Sequence, residues 1–155
     1  MQKIGQILSL SISKYHGIPK FPISSVVVGN RGFVNDVHSS EPGRSISIVA
    51  KEVLDLMNLK LGINLKAGFL AENITTIGLG DLSDLEPGCM IKIGDRVILQ
   101  VSEQNKPCSK INIYHKLLVK SIHGKRGVLC EVNAGVGETL KPGDKIEIIG
   151  GSVAL

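Results

Sequence analysis

The chain has 155 residues, enough for one domain over residues 1–155 with a sizeable core. Its 43% hydrophobic and 21% charged residues exclude a disordered chain, and its lack of tryptophan, with only 3% aromatics, excludes a nucleic-acid binder that relies on stacking. The formal charge of +4 does not by itself indicate what the protein binds. From Glu103 to Arg126, however, six basic residues accompany one acidic residue, which gives this segment a local charge of +5. This window favours an anionic ligand or, equally well, a solvated helix face.

Short β-prone segments separated by glycine and proline dominate the chain. Lys3–Ser13 alternates polar and apolar side chains, and the valine-rich Ser25–Gly29 follows a loop with two prolines. The other predicted strands are Ile74–Ile77, Met90–Ile93, Val97–Ser102, Val128–Val132 and Lys145–Ile149. Many short strands and few helices predict a mainly β domain, a barrel of predominantly antiparallel strands without open edges.

Two segments have the pattern of helices. Ser47–Leu61 is predicted as the main helix because apolar residues recur at spacings of three and four before Gly62, and we expect this stripe to pack against the strands. The stripe consists of Val49, Val53, Leu56 and Met57. Ile111–Leu118 predicts a second, short helix, and Pro107 suits its opening turn.

Cys108 is the most chemically suggestive position, because it would lie near the start of that second helix and between Lys106 and Lys110. Helix N–H groups and the two positive charges favour the thiolate, the nucleophilic and metal-binding form. Cys89 and Cys130 lie in β-prone runs and are predicted to be structural. Three cysteines without paired spacing favour a reducing compartment, and no signal-peptide pattern or membrane-spanning run is present, so we expect a cytoplasmic protein without a membrane partner.

The longest loop, Asn30–Gly43, concentrates polar groups of the kind that form binding sites. His38 in this loop would contact an anion or handle a proton near a ligand, or would only bond locally. Arg44 follows the loop and offers a bidentate fork suited to phosphate. The structural alternative is that Arg44 pairs with Asp36 or Glu41 in its own loop.

Glu72 and Asn73 precede the predicted strand Ile74–Ile77. Asn73 would fix a turn through its side chain or present its amide to a ligand. The sequence has no C-x-x-C or H-x-x-x-H spacing for a metal, no G-x-x-x-x-G-K-[S/T] phosphate loop and no serine nucleophile elbow. Cys108 and the polar loops are therefore the candidates for a site.

Several stretches, in order along the chain, resemble the motifs of the MOSC domain family, named for the C-termini of molybdenum cofactor sulfurases. Residues 32–47 resemble its G-x-x-G-D-x-H…R-x-V-S segment, and residues 67–79 resemble P-G-x-F-G-E-N-L-T-V-x-G-L. Residues 85–94 resemble L-x-x-G-D-x-L-x-I-G, residues 99–108 the cysteine segment, and residues 127–144 the closing stretch. Each motif is short, and it is their shared order that makes the resemblance specific.

The resemblance implies a MOSC-type β-barrel with a few short helices that handles the molybdenum cofactor, a pterin phosphate (molybdopterin) whose dithiolene holds the metal. Cys108 would be the catalytic residue, as molybdenum ligand or sulfur carrier. Such a protein would serve cofactor maturation and sulfur transfer, or reduce N-hydroxylated compounds. The predicted cofactor-binding residues are His38, Arg44, Glu72, Asn73, Lys106 and Lys110. We expect His38 and Arg44 to approach the Cys108 loop at one end of the barrel.

Three departures from the family pattern support an alternative. Asn35 stands where the family usually has glycine, Ser39-Ser40 where Gly-Gly is common, and Ala71 replaces the glycine before Glu-Asn. Those glycines would let the backbone approach a ligand closely. The alternative is a non-catalytic β-barrel module that docks a partner protein or another anion. No desulfurase or ferredoxin segment is present in this sequence. If the protein binds the molybdenum cofactor, the expected partner is therefore a cofactor-biosynthesis or electron-donor protein.

Overall fold

Most of the β-prone segments become strands of one sheet in the computed structural model, which describes residues 3–150. Eleven strands, two α-helices and one 3₁₀ helix are assigned in these residues. In chain order they are β1 Lys3–Ile12, β2 Phe21–Ile23, β3 Val26–Gly29, β4 Gly32–Phe33, β5 Ile46–Ala50, α1 Lys51–Leu61, β6 Ile74–Ile77, β7 Met90–Ile93, β8 Val97–Gln104, the 3₁₀ helix Ser109–Ile113, α2 Leu118–Ile122, β9 Val128–Ala134, β10 Thr139–Leu140 and β11 Lys145–Gly150.

Seven strands close a barrel in the order β1, β6, β5, β9, β8, β7 and β11, and β11 pairs back onto β1. Every barrel pair is antiparallel except β5 with β6. β2 extends the sheet from the far end of β1. The closed ring pairs the main-chain groups of each barrel strand on both sides, which removes open edges. The predicted mainly β barrel fold is confirmed.

Aliphatic side chains fill the interior of the barrel, as the composition requires. Ile7 and Leu10 of β1 point inward, whereas Ile4 and Leu8 on the opposite face of the strand are exposed. Ile48, Ile74 and Leu99 from three further strands are buried in the same core. Each such side chain contributes roughly 1.5–3 kcal/mol when it leaves water, so the aliphatic core stabilises the barrel without large aromatic residues.

The strand predicted at Ser25–Gly29 forms as β3, but its expected place in the barrel is wrong. β3 pairs with β10 and β4 in a separate three-stranded sheet. Val26 and Val28 are buried and Val27 is exposed, the same alternation that a barrel strand shows. Alternation predicts which face of a strand is buried, and it says nothing about the strand with which it pairs.

The predicted helix Ser47–Leu61 is wrong at its start, because residues 46–50 form β5 and α1 begins at Lys51. All five residues of β5 are buried, since the strand lies between β6 and β9 in the sheet. Its apolar run Ile48-Val49-Ala50 leads directly into the helix and lacks the alternation that separates a strand from a helix. The predicted stripe is also partly wrong: Leu56 is 41% exposed and Leu54 faces the core in its place.

The single helix predicted at Ile111–Leu118 is replaced by the 3₁₀ helix and α2, with a turn between them. The Asn112 side-chain oxygen accepts a hydrogen bond from the Val119 N–H at 3.0 Å, and His115 Nδ1 accepts one from the Leu117 N–H at 3.0 Å. Side chains that bond nearby main-chain groups compete with a continuous helix. Among the residues described, no helix has the length and apolar character needed to span a bilayer.

Candidate functional site

A cleft of about 210 Å³ lies at one end of the barrel, where the loops that follow β1 and β8 meet the loops that precede β5 and β6. The predicted site residues that line it are Cys108, His38, Arg44, Asn73, Lys106 and Lys110. Their common location matches the expectation that the loop of His38 and Arg44 approaches the loop of Cys108. Glu72 is the predicted site residue that does not line this cleft.

Cys108 is exposed and lies directly before the 3₁₀ helix in extended backbone, with φ −122° and ψ 161°. Its Sγ is 3.8 Å from Arg126 Nη1. Partial burial raises the pKa of the thiol, but a hydrogen bond from the Lys110 backbone N–H and the Arg126 guanidinium together lower the pKa below its ordinary value. The site therefore favours the thiolate at Cys108.

Arg126 forms hydrogen bonds to two different loops of the cleft. Its side chain is buried, Nη2 donates to the Leu70 carbonyl oxygen at 3.0 Å and Nη1 donates to the Lys106 carbonyl oxygen at 3.3 Å. In the sequence, Arg126 is one of the six basic residues between Glu103 and Arg126, and nothing else distinguishes it. Gly124 and Lys125, which precede it, indicate an exposed turn. They do not predict that Arg126 is buried beside Cys108.

Arg44 is half exposed at the rim of the cleft and pairs with a residue of another loop. Its Nη1 donates to Glu103 Oε1 at 2.9 Å. The structural alternative named Asp36 or Glu41 as the partner, and the observed ion pair involves neither. Because both side chains of the Arg44–Glu103 pair are more than half exposed, the pair is worth about 0–1 kcal/mol, and an anionic ligand competes with Glu103 at little cost.

The buried side chains of Glu72 and Asn73 form hydrogen bonds that stabilise the segments next to the cleft. The Glu72 carboxylate is fully buried and accepts hydrogen bonds from the Leu70 N–H and the Thr75 hydroxyl, while burial raises the pKa of the carboxyl. Asn73 donates to the Ser11 carbonyl oxygen at 3.1 Å and accepts from the Ser47 N–H at 3.0 Å. Its amide therefore links β5 to β1, and only part of the residue reaches the cleft.

His38 contacts a buried ion pair, Lys20 with Asp36, that the sequence does not predict. Lys20 Nζ contacts the two Asp36 carboxylate oxygens at 2.9 and 2.8 Å and His38 Nδ1 at 3.0 Å. A lysine between Pro19 and Phe21 in a loop is ordinarily solvent-exposed. Lys20 is buried because it pairs with Asp36, which is 16 residues away in the sequence. The residues next to Lys20 do not predict this pairing.

His16, His38 and Glu41 form a group whose ligand atoms all lie within 4.8 Å of one another, as in some metal sites. A histidine that binds a metal usually donates its second ring N–H to a carboxylate or a carbonyl. His38 Nδ1 instead faces the Lys20 amine, a poor acceptor for such an N–H. This contact disfavours a metal ion at the three residues.

A sequence model of the MOSC domain family matches residues 35–147 of the chain. The chain belongs to the MOSC domain family. The match covers the cleft loops from Asp36 to Arg126 as well as most of the barrel strands, in agreement with the motif resemblance.

Solved structures show the same fold. The YUAD protein of Bacillus subtilis superposes with a TM-score of 0.84 at 22% identity, over 95% of this chain and 96% of that one. YiiM of Geobacillus stearothermophilus superposes with a TM-score of 0.78 at 26% identity, over 97% and 77% of the two chains. YiiM of Escherichia coli has a TM-score of 0.72 at 18% identity, over 94% and 70%. A search of curated proteins gave no significant match.

Two of the departures from the MOSC glycine pattern fall at positions with left-handed backbone. Asn35 has φ 72° and Ala71 has φ 65°, a region that glycine adopts freely and that a Cβ disfavours. Asparagine tolerates this conformation better than alanine does. Ala71 lines the cleft, so this MOSC protein carries both backbone strain and an added methyl group where a ligand would approach.

Proposed function

We propose that this MOSC protein binds the molybdenum cofactor in the cleft, with Cys108 as the metal ligand or as a sulfur carrier. One observation carries the proposal: the exposed Cys108 Sγ lies 3.8 Å from the Arg126 guanidinium, in a cleft whose rim also carries Arg44, Lys106 and Lys110. A thiolate beside several cations suits a ligand that combines a soft metal centre with a phosphate.

The described residues fit this group in their donor chemistry. Cys108 supplies a soft sulfur ligand, and Arg44 supplies a planar fork for phosphate oxygens. Two polar atoms of cleft-lining residues, Ser47 Oγ and Arg126 Nε, are buried without a hydrogen-bond partner among the residues described. Buried polar atoms of this kind gain most from a ligand that bonds them.

The chain's own residues would divide the work in the following way. Arg126 and the Lys110 N–H would favour the thiolate form of Cys108, while Arg44 and the flanking lysines would neutralise the anionic end of the ligand. When bound, the cofactor supplies redox and atom-transfer chemistry at molybdenum. This division supports either cofactor maturation with sulfur transfer or the reduction of N-hydroxylated compounds, and a separate cofactor-biosynthesis or electron-donor protein would supply sulfur or electrons. A cytoplasmic location suits an exposed, reduced Cys108.

A second candidate function is a binding module that takes a smaller anion or a partner protein. The observation that favours it is the size of the cleft, about 210 Å³, which is below the roughly 300–1,000 Å³ of ligand pockets. The Ala71 methyl group narrows the approach further. In this case Cys108 and the cations remain an anion site without the metal.

The first prediction tests the two candidates directly. The protein is expressed in cells that make the cofactor, purified, and assayed for molybdenum by mass spectrometry and for pterin by fluorescence after oxidation. We expect both in the wild type, with molybdenum lost in Cys108→Ser because the soft ligand is gone, and we expect loading to persist in the neighbouring control Ser109→Ala. Absence of both from the wild type, or equal molybdenum in Cys108→Ser, contradicts the proposal and favours the binding module.

A further inference from the structure

The ion pair of Lys20 and Asp36 is buried, and Lys20 Nζ has three polar contacts. The side chain of Lys20 is 1% exposed and that of Asp36 is 0% exposed. Besides Lys20 Nζ, the Asp36 oxygens accept from the Ser13 N–H at 3.0 Å and from the His38 N–H at 3.2 Å. Burial lowers the pKa of Lys20, while the hydrogen bonds to Asp36 and the charge of Asp36 oppose this shift, so the pairing favours the ammonium form of Lys20.

The ammonium determines which ring nitrogen of His38 carries the proton. An ammonium group has three hydrogens and no lone pair. Lys20 Nζ contacts the two Asp36 oxygens and, at 3.0 Å, His38 Nδ1, so one hydrogen is available for each of the three contacts. Nδ1 must therefore accept, and the single proton of the neutral imidazole lies on Nε2.

The protonated nitrogen is the one directed away from the ion pair. His38 Nε2 lies 4.0 Å from Glu41 Oε2, beyond hydrogen-bond distance, so this N–H retains capacity for another acceptor. His38 lines the cleft, whereas Lys20 does not. The ring packs edge to face against His16, with the centroids 5.1 Å apart.

We propose that Lys20 is a positioning residue that fixes His38 as the Nε2–H tautomer, so that a neutral His38 donates a hydrogen bond to an acceptor atom of the ligand in the cleft. This assigns a role to a buried pair outside the cleft and makes His38 a donor rather than a metal ligand. The contact with a ligand rests on an anion binding in the cleft, as in the proposed function. The tautomer does not depend on it.

Burial and the charge of Lys20 favour the neutral form of His38. Burial lowers the pKa of His38, and the positive charge of Lys20 lowers it further. Glu41 and Asp36 oppose the shift, and His16 adds to it weakly. The net pKa lies below the ordinary value, so His38 takes up a second proton only at a more acidic pH than a free histidine does, and the Nε2–H persists on both sides of that transition.

The second prediction concerns the tautomer and is tested by long-range ¹H–¹⁵N correlation spectra of protein with labelled histidine. We expect the Nε2–H pattern for His38 in the wild type. Lys20→Met should lose this preference and raise the titration midpoint of His38, because the ammonium is gone. Lys20→Arg should retain the pattern, since a guanidinium also only donates. Unchanged signals of His123 report that the fold is intact.

Two results would overturn the assignment: the Nδ1–H pattern in the wild type, or a Lys20→Met variant with the wild-type tautomer and midpoint. If Lys20→Met does not fold, the tautomer of the wild type and of Lys20→Arg decides the matter alone. Lys60→Met removes one exposed lysine charge outside the cleft and serves as the control for net charge.

The donor role is tested with inorganic phosphate as the probe. Phosphate should shift the His38 Nε2–H signal, and Lys20→Met should weaken phosphate binding about fivefold, the value of one hydrogen bond of roughly 1 kcal/mol. Phosphate that leaves the His38 signal unmoved overturns the donor role. A protein that fails to load molybdenum but shows both phosphate effects leaves this inference standing and removes only the cofactor proposal.

Discussion

Cys108 differs from the other two cysteines in exposure and in the charge that faces its sulfur. Cys89 and Cys130 are buried, and burial raises the pKa of both thiols. Cys108 is exposed, and Arg126 and the Lys110 N–H more than offset its partial burial. The three thiols should therefore differ in rate with the same reagent, and Cys108 should react first.

The third prediction follows from the role of Arg126. In Arg126→Met the pKa of Cys108 rises because the guanidinium is lost, so the rate of alkylation by iodoacetamide near pH 7 should fall and its midpoint should move to higher pH. Removing a partner of the Leu70 carbonyl should also cost about 1–3 kcal/mol of stability, so thermal melts must confirm that the variant is folded.

Arg96→Met is the matched control, because it removes an exposed arginine from the turn between β7 and β8. It should leave the alkylation profile of Cys108 unchanged. A wild-type Cys108 that reacts no faster near neutral pH than Cys89 or Cys130 would contradict the argument for an activated thiolate.

The fourth prediction uses Cys108 as a reporter of the charge at the cleft rim. Glu103→Gln frees Arg44 from its ion pair and should raise the rate with the anion iodoacetate relative to neutral iodoacetamide, most strongly at low salt. Arg44→Lys should lower this ratio and Arg44→Ala should lower it further, with melting temperatures almost unchanged because the pair is exposed.

Glu86→Gln makes the same change of charge at an exposed position outside the cleft and is the control for Glu103→Gln. If it raises the ratio as much as Glu103→Gln does, the effect reflects the net charge of the protein and not the rim of the cleft.

At the scale of elements, the loop between α1 and β6 is held in a conformation that suits glycine. Ala71 has φ 65° within this loop, and its neighbours Leu70 and Glu72 are fixed by hydrogen bonds to Arg126 and Thr75. The loop therefore cannot relax its strain without breaking these contacts.

The fifth prediction is that Ala71→Gly stabilises the protein by about 0–1 kcal/mol, since relief of roughly 1–2 kcal/mol of left-handed strain exceeds the entropic cost of an added glycine. The change in the free energy of unfolding is measured by urea denaturation. Ala134→Gly in β9, a position without positive φ, is the control and should destabilise. Equal destabilisation by both changes would show that Ala71 is not strained.

The strands and the cleft differ in how far the sequence predicts them. Strands with alternating faces and turn residues at both ends, such as β1 and β7, carry their own signal. β5 is buried along its whole length and so was assigned to the helix that follows it. The exposed Cys108 and Arg44 were found through their chemistry and the family motifs. Lys20 and Arg126 were missed because their burial depends on partners distant in the sequence.

At the scale of the whole molecule, the barrel and the cleft loops have separate tasks. The strands bury an aliphatic core, while the polar residues of the cleft come mostly from the loops, with Ser47 of β5 as an exception. The hydrogen bonds of Asn73, Arg126 and Asp36 then connect the loops to one another and to the strands. A rigid frame with polar loops at one end is the usual arrangement for binding and catalysis.

The pairing of β1 with β11 has a consequence for synthesis of the protein. Lys3 lies opposite Ile148 in this pair, so the ring closes only when almost the whole described chain has left the ribosome. Until then both β1 and β7 present unpaired edges that can recruit other chains. Contacts so distant in sequence also form slowly. A nascent chain stalled before Lys145 should therefore be the aggregation-prone form of this protein, and the arrival of β11 ends that exposure.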